Sequence, residues 1–176
     1  ELNDLRLRGA SLANPQAIPE TISQTYQLRF SGIDVSGTEF DGLVSDLNEL
    51  RHLELFNANG ATSEDMRNLG VEDVALLNYF ATTGSDLEDL TFLPEGTNYG
   101  ILRAESSNLQ SLEGLDKIDS FKELLLAFNS DLGGEENLNL LLGFTSAERI
   151  DLRGTGFSED EIATLEAEFP NTDIDF

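Results

Sequence analysis

Apolar residues recur along this chain in a short motif of spacing L-x-x-L-x-L, first seen in LNDLRL from Leu2 to Leu7. Matching segments begin at Thr25, Leu50, Val74, Tyr99, Phe121 and Ala147, and the chain closes on NTDIDF from Asn171. The central apolar position of each segment is held by Leu5, Leu28, Leu53, Leu77, Leu102, Leu124, Ile150 and Ile174. Apart from Thr25, every motif position of the seven full segments is apolar if Ala and Tyr are counted. The sequence therefore predicts an internal repeat with a period of about 24 residues.

Each segment alternates apolar and polar residues, which predicts a short strand with its apolar side turned into a core. Ser158 to Glu161 forms a capping-box sequence ahead of Ile162, Leu165 and Phe169, which predicts a helix near the end of the chain. Weaker helical patterns cover Thr38 to Leu47, Ser63 to Leu69 and Glu135 to Leu142. In the first segment between strands, Pro15 and Pro19 predict an irregular path instead.

The unit that begins at Tyr99 resembles a leucine-rich repeat. The residues on that family's spacing are Tyr99, Leu102, Ala104, Ser107, Leu109, Leu112 and Leu115. The resemblance covers essentially the whole chain, and the ending SEDEIATLEAEFPNTDI resembles the last helix-then-strand unit of bacterial members. It implies a right-handed solenoid, a horseshoe with a concave parallel sheet of about eight strands and short helices or irregular segments on its convex side.

One family position departs from the pattern. The family's asparagine, whose side chain satisfies backbone groups at the turn after each strand, is kept only as Asn129. The other places are held by Ala10, Ile33, Ala58, Thr82, Ser107 and Thr155.

Residues 1–176 are expected to form a single domain. Terminal units of a repeat protein normally need polar caps, and the first predicted strand begins at residue 2 without one. We expect that the chain belongs to a longer or processed protein, with a dimer that covers the bare end as the alternative.

Composition narrows the class of protein. The chain has 34 acids against 10 bases, a formal net charge of −24, and no cysteine. Such a negative field argues against nucleic-acid binding, and no apolar run approaches the ~20 residues of a membrane span. We expect a secreted or cell-surface protein without membrane insertion; the cytoplasm of a halophile is the alternative, since carboxylates stay hydrated in salt.

Catalytic and metal-binding patterns are weak. The single histidine, His52, excludes paired-histidine metal sites, and the Gly154-Thr155-Gly156 stretch lacks the third glycine of a dinucleotide loop. Asp173 and Asp175 are not followed by the rest of a calcium loop. We therefore expect no enzyme activity, no cofactor and no bound metal.

The predicted concave side collects residues typical of an interface. Six of the eight arginines fall there with seven acids, for a net charge of −1, while the rest of the chain carries −23. Phe56 and Phe80 are expected to lie side by side, and Leu76 and Ile101 to share another row. Aromatic anchors among arginines are the composition of binding hot spots.

The resemblance thus implies a non-catalytic module that binds a partner protein through its concave sheet. The predicted contact residues are His52, Phe56, Leu76, Phe80, Ile101, Leu125, Phe128, Arg29, Arg103, Arg149 and Arg153. The alternatives are a carbohydrate-binding adhesin, which would use Phe and His as stacking platforms, and a structural spacer without a ligand.

Three alternatives remain open for the side chains of the predicted concave side. The arginines can pair with neighbouring acids, such as Arg103 with Glu54 or Asp151. The apolar cluster can be a homodimer contact or be covered by another domain. A slip of register by one residue in the segments from Thr25 and Val74 would move Phe80 inward.

Overall fold

The computed structural model describes residues 4–8, 25–145 and 147–176. These residues form an α/β structure with eight strands and three helices. The strands are β1 (Asp4–Arg8), β2 (Gln27–Ser31), β3 (His52–Phe56), β4 (Tyr79–Thr83), β5 (Asn98–Glu105), β6 (Ser120–Leu125), β7 (Arg149–Asp151) and β8 (Asp173–Asp175). The helices are α1 (Ser63–Leu69), α2 (Glu135–Leu142) and α3 (Glu159–Glu168). Pro15, Pro19 and Ala10, on which predictions were made, lie outside the described residues.

All eight strands belong to one parallel sheet whose strand order is the order along the chain. One inward side chain per strand stands opposite the corresponding one in the next strand; it is fully buried in β2 to β7 and partly buried in the two end strands, β1 and β8. This column consists of Leu5, Leu28, Leu53, Phe80, Leu102, Leu124, Ile150 and Ile174. The predicted parallel sheet of about eight strands is confirmed.

The fourth strand has a different register from the one predicted. Phe80, and not Leu77, stands opposite Leu53 and Leu102. Leu77 is buried in the turn ahead of the strand, where its backbone N–H donates to the Val74 carbonyl. The pattern around β4 contains two overlapping apolar alternations, and stacking on the neighbouring strands selects the one that buries the larger phenyl ring.

One face of the sheet carries the core. Its inward side chains pack in a single cluster with Met66 of α1, Leu141 of α2 and Leu165 of α3. The side chains of the opposite face alternate with these along each strand, as the period of two in a strand requires. We call this second side the open face; it corresponds to the side that the sequence predicts to be concave.

The helices begin where their capping residues indicate. At the start of α3, Ser158 and Glu161 form both hydrogen bonds of a capping box, and Thr62 and Asp65 do the same for α1. The predicted helices over Ser63–Leu69 and Glu135–Leu142 are confirmed. The helix predicted over Thr38 to Leu47 is wrong: only a 3₁₀ turn over Thr38–Phe40 forms. Gly42 has φ +68°, a left-handed conformation that a right-handed helix cannot contain.

Asn129 fixes the backbone at the turn after β6. Its side chain is fully buried, and its Oδ1 accepts hydrogen bonds from the backbone N–H groups of Ser107 and Leu109, both at 3.0 Å. Its Nδ2 donates to the carbonyls of Ala104 and Leu126 at 2.7 and 2.6 Å. One side chain thus supplies partners for four backbone groups of two neighbouring turns, as the resemblance implied.

In the fourth unit the equivalent place is held by Ser85, five residues after Phe80, and not by Thr82. The hydroxyl groups of Ser85 and Thr82 lie 3.0 Å apart and are hydrogen-bonded in the interior. This correction follows directly from the shifted register of β4.

Asn129→Ala is expected to lower the free energy of unfolding by about 3 kcal/mol or more, because it leaves several buried backbone groups without partners. Asn139→Ala, at an exposed position of α2, is the matched control and should change stability by less than about 0.5 kcal/mol. Urea unfolding at neutral pH measures both. Similar values for the two variants would contradict the role given to Asn129.

Candidate functional site

The open face carries three rows of side chains across the strands. The first row contains Asp4, Gln27, His52, Tyr79, Ile101, Glu123, Arg149 and Asp173. The second row contains Arg6, Arg29, Glu54, Ala81, Arg103, Leu125, Asp151 and Asp175. The third row contains Arg8, Ser31, Phe56, Thr83 and Glu105 and is continued by Ala127 and Arg153 beyond the ends of their strands.

The formal net charge of the open face agrees with the value predicted from the sequence. The three rows include six of the eight arginines and seven of the 34 acids, for a formal net charge of −1. The shift of β4 leaves this sum unchanged, because neither register brings a charged residue of that strand onto the face. The remainder of the chain carries −23.

Three of the predicted contact arginines are engaged with carboxylates of the face itself. Arg149 lies 2.7 Å from Asp175. Arg153 forms a bidentate ion pair with Asp151, with hydrogen bonds of 2.6 and 2.9 Å. Arg103 pairs with Glu105 within its own strand. The pairing that the sequence left open therefore occurs, although Arg103 has a different partner from the two considered.

Near the first strands, Glu54 is the centre of a polar cluster. It is only 7% exposed, and its carboxylate lies 2.7 Å from His52 Nε2 and 3.2 Å from Arg29 Nε. The ring of His52 stacks on that of Tyr79 with centroids 3.8 Å apart. Burial, together with the nearby Glu54 charge, raises the pKa of the Tyr79 phenol. Tyr79 was missed in the sequence because the expected register turned it inward.

The apolar contact residues do not form the rows that the sequence predicts. Phe80 is fully buried, so it does not lie beside Phe56 on the open face; Thr83 takes that place. Leu76, at 41% exposure, precedes β4 and lies outside the three rows, and the neighbour of Ile101 is Tyr79.

The positions of the glycines in the sequence would have predicted the observed register of β4. Gly84 follows Phe80 by four residues, as Gly32 follows Leu28 and Gly154 follows Ile150, and all three glycines have positive φ. Aligning these glycines, instead of the leucines alone, places Phe80 in the buried column.

Phe128 is the most unusual residue of this region. Its φ is +64° and its side chain is 62% exposed. The equivalent positions, four residues after the buried column, are occupied by Gly32, Asn57, Gly84, Ser106 and Gly154, all with positive φ. A bulky residue in this conformation costs roughly 1–2 kcal/mol, so Phe128 is a strained position without the benefit of burial.

The surroundings of Phe128 hold its ring at the surface. Its backbone N–H donates to the Arg153 carbonyl at 2.8 Å. The ring lies against Gly154, where an added Cβ would approach Phe128 Cδ1 to 3.3 Å. Half-buried Leu125 lies three residues earlier, in the second row, and half-buried Ile101 lies further back on the face, in the first row of the neighbouring β5.

Residues 4–8, 25–145 and 147–176 contain no group of three or more His, Asp or Glu side chains that could hold a metal ion. No helix among them has the length and apolar character needed to cross a membrane.

Phe128→Asn is expected to raise the free energy of unfolding by about 0.5–1 kcal/mol, because asparagine tolerates the left-handed conformation. Leu76→Asn is the matched control: it also replaces an exposed apolar side chain, but its φ is not positive, so no gain is expected. Urea unfolding compares the two. A loss of stability in Phe128→Asn would show that the ring contributes more to folding than its backbone conformation costs.

Asp151→Asn tests the ion pairs of the open face. Hydrogen bonding from Arg153, helped by the arginine charges, lowers the pKa of the Asp151 carboxyl below its ordinary value of 3.8. The ionised form therefore stabilises the fold above about pH 4, and this contribution is lost as pH falls through the lowered pKa. At pH 7 the free energy of unfolding of the variant should be lower by about 1–2 kcal/mol. The loss is no larger because Arg149 and Arg153 are partly exposed and their charges are screened by solvent.

The difference in the free energy of unfolding between wild type and Asp151→Asn should become smaller below about pH 4. Urea unfolding between pH 7 and pH 3 follows it. Asp173→Asn, an exposed residue of the same face, is the control and should show little effect at either pH. A pH-independent difference would contradict the role given to the Asp151 charge.

Comparison with protein families, with characterised proteins and with solved structures finds no match for this chain. Function is therefore argued from the open face alone. That face combines near neutrality, internally paired arginines and an exposed aromatic ring on a strained backbone.

Proposed function

We propose that this chain is a leucine-rich-repeat solenoid that acts as a non-catalytic protein-binding module through its open face. The in-register column of buried side chains, the turn four residues later and the hydrogen bonds of Asn129 support the repeat assignment. In the register of β4 observed here, Phe80, Ser85, Leu87, Leu90 and Leu93 repeat the spacing of Leu102, Ser107, Leu109, Leu112 and Leu115.

The observation that carries the binding proposal is Phe128. Strained residues persist where the surrounding structure enforces them, and such positions cluster at functional sites. A phenyl ring held at the surface by an unfavourable backbone conformation gives the fold little, whereas it offers a partner a rigid apolar anchor. Aromatic anchors of this kind dominate the energetics of many interfaces.

Electrostatics favours the same face. A partner that approaches most of this surface meets a strong negative field, but the open face has a net charge of only −1. The arginines there are already oriented by carboxylates, so a partner gains fixed hydrogen-bond donors without much loss of side-chain entropy. Phe128, Leu125 and Ile101 would be desolvated first, with Arg149 and Arg153 at the rim.

The carbohydrate alternative loses part of its stacking platform. His52 and Tyr79 stack face to face with an angle of 5° between their planes, so each ring covers one face of the other. Protein binding is the better-supported function, because aromatic anchors among arginines are typical of protein interfaces. Location at the cell surface or in the medium stays part of the proposal.

The proposal predicts that Phe56→Asp and Phe128→Asp each abolish retention of a specific protein partner by the immobilised chain. Truncating a central aromatic anchor typically costs about 2–4 kcal/mol of binding, and a buried charge costs more. Leu76→Asp is the matched control, because it places the same charge at an exposed apolar residue that precedes β4, at the opposite end of the parallel strands from Phe56 and Phe128. Affinity capture from extracts, followed by mass spectrometry and circular dichroism of each variant, provides the measurement.

Equal retention of the partner by wild type and both open-face variants would overturn the proposal. Retention of a glycan alone, in parallel assays with a polysaccharide panel, would favour the adhesin alternative. Capture of only a second copy of this chain would show that the open face forms a homodimer and does not bind a different protein.

A further inference from the structure

A small cavity opens on the open face between the first three strands. Its volume is about 120 Å³, and its polar lining consists of Arg6, Arg8, Arg29, Ser31 and Glu54. Phe56 contributes the apolar side chain of the wall that faces outward. This volume holds several water molecules, which is the scale of one side chain and smaller than a folded element.

The charge of this cavity is opposite to that of the chain. Among the described residues, three guanidinium groups and a single carboxylate line it, whereas the whole chain carries −24. Charges beyond about 8–10 Å are largely screened at physiological salt, so the nearest groups decide which ion enters. The cavity is therefore selective for an anion.

The arginines here have donors to spare, unlike those at the other end of the face. Arg8 is exposed and makes no ion pair with any residue in the described ranges. Arg29 Nε lies 3.2 Å from Glu54 but lacks hydrogen-bond geometry, which leaves it a buried donor without a hydrogen-bond partner. Arg6 is held by Asp4 at 2.8 Å on one side of the cavity. A buried donor without a hydrogen bond costs free energy, and a bound acceptor would remove that cost.

Resting on the proposed function, we propose that this cavity binds the side-chain carboxylate of an aspartate or glutamate presented by the partner protein. Guanidinium groups bind carboxylates with paired, charge-assisted hydrogen bonds, and Ser31 supplies a further hydroxyl donor. Phe56 contacts the methylene stem. Glu54 in the wall opposes the second charge of a phosphate dianion, which favours a singly charged carboxylate.

The test uses the whole chain and a defined probe. N-acetyl-glutamate amide is titrated into the ¹⁵N-labelled protein while the arginine Nε–Hε signals are followed by NMR. Saturable shifts are expected at Arg8 and Arg29, with weak affinity for so small a probe. N-acetyl-glutamine amide, which has the same shape without the charge, is expected to give none.

Arg8→Gln and Arg29→Lys are each expected to weaken probe binding about tenfold or more, the second because lysine keeps the charge but loses the planar donor fork. Arg51→Gln is the matched control: it removes one positive charge at an exposed residue outside the cavity and should change affinity less than about twofold. Arg8 is exposed, so its variant retains the fold.

The inference is overturned by any of three results: equal weakening in Arg51→Gln, equal shifts with the glutamine probe, or no saturation at all. Tighter binding of inorganic phosphate than of the glutamate probe would overturn the choice of a carboxylate.

The two proposals fail separately. If the probe binds as expected but no protein is retained through Phe128, the carboxylate site stands and the proposed function fails. If a partner is retained through Phe128 and Arg8→Gln leaves both its retention and probe binding unchanged, the carboxylate site fails and the proposed function stands.

Discussion

The structure depends on one column of buried side chains that runs through every strand of the sheet. A five-residue strand buries only half of its side chains, and none of these strands is long enough to be stable alone. Stacking Leu28, Leu53, Phe80 and Leu102 in register gives each strand an apolar neighbour on both sides. Because side chains alternate along a strand, the same register fixes which residues face away from the core. The composition of the open face follows from the packing beneath it.

The turns after the strands impose the second constraint. The backbone must leave the sheet sharply, and it does so through a left-handed residue four positions after the buried column. Asn129 satisfies the buried backbone groups at one such turn with all of its hydrogen-bonding atoms. Phe128, its immediate neighbour, occupies the left-handed position at a cost in backbone energy. A well-satisfied turn and a strained, exposed ring thus lie side by side, which is the arrangement expected where a rigid scaffold presents a contact residue.

Charge is distributed unevenly over the molecule, and the open face itself is divided. Toward the last strands, Arg149 and Arg153 are neutralised by carboxylates of the same face, and the ring of Phe128 is exposed at the turn after β6. Toward the first strands, arginine donors exceed the available carboxylates around a small cavity. The proposed partner would therefore meet an apolar anchor at one end of the face and a cationic site at the other, with the strongly acidic remainder limiting other modes of approach.

The sequence by itself determined the features that rest on local pattern. Alternating apolar residues determined the strands, and capping residues such as Ser158 determined where helices begin, since these signals act over a few residues. The near neutrality of the open face was also predictable, because neither register of β4 brings a charged residue onto that face. Tertiary structure decided the position of Phe80, since two apolar alternations overlap there and only the neighbouring strands distinguish them. It also decided the partner of Arg103 and the spare donors of Arg29, because a long side chain reaches several acids and the choice depends on what stacking brings within hydrogen-bond distance.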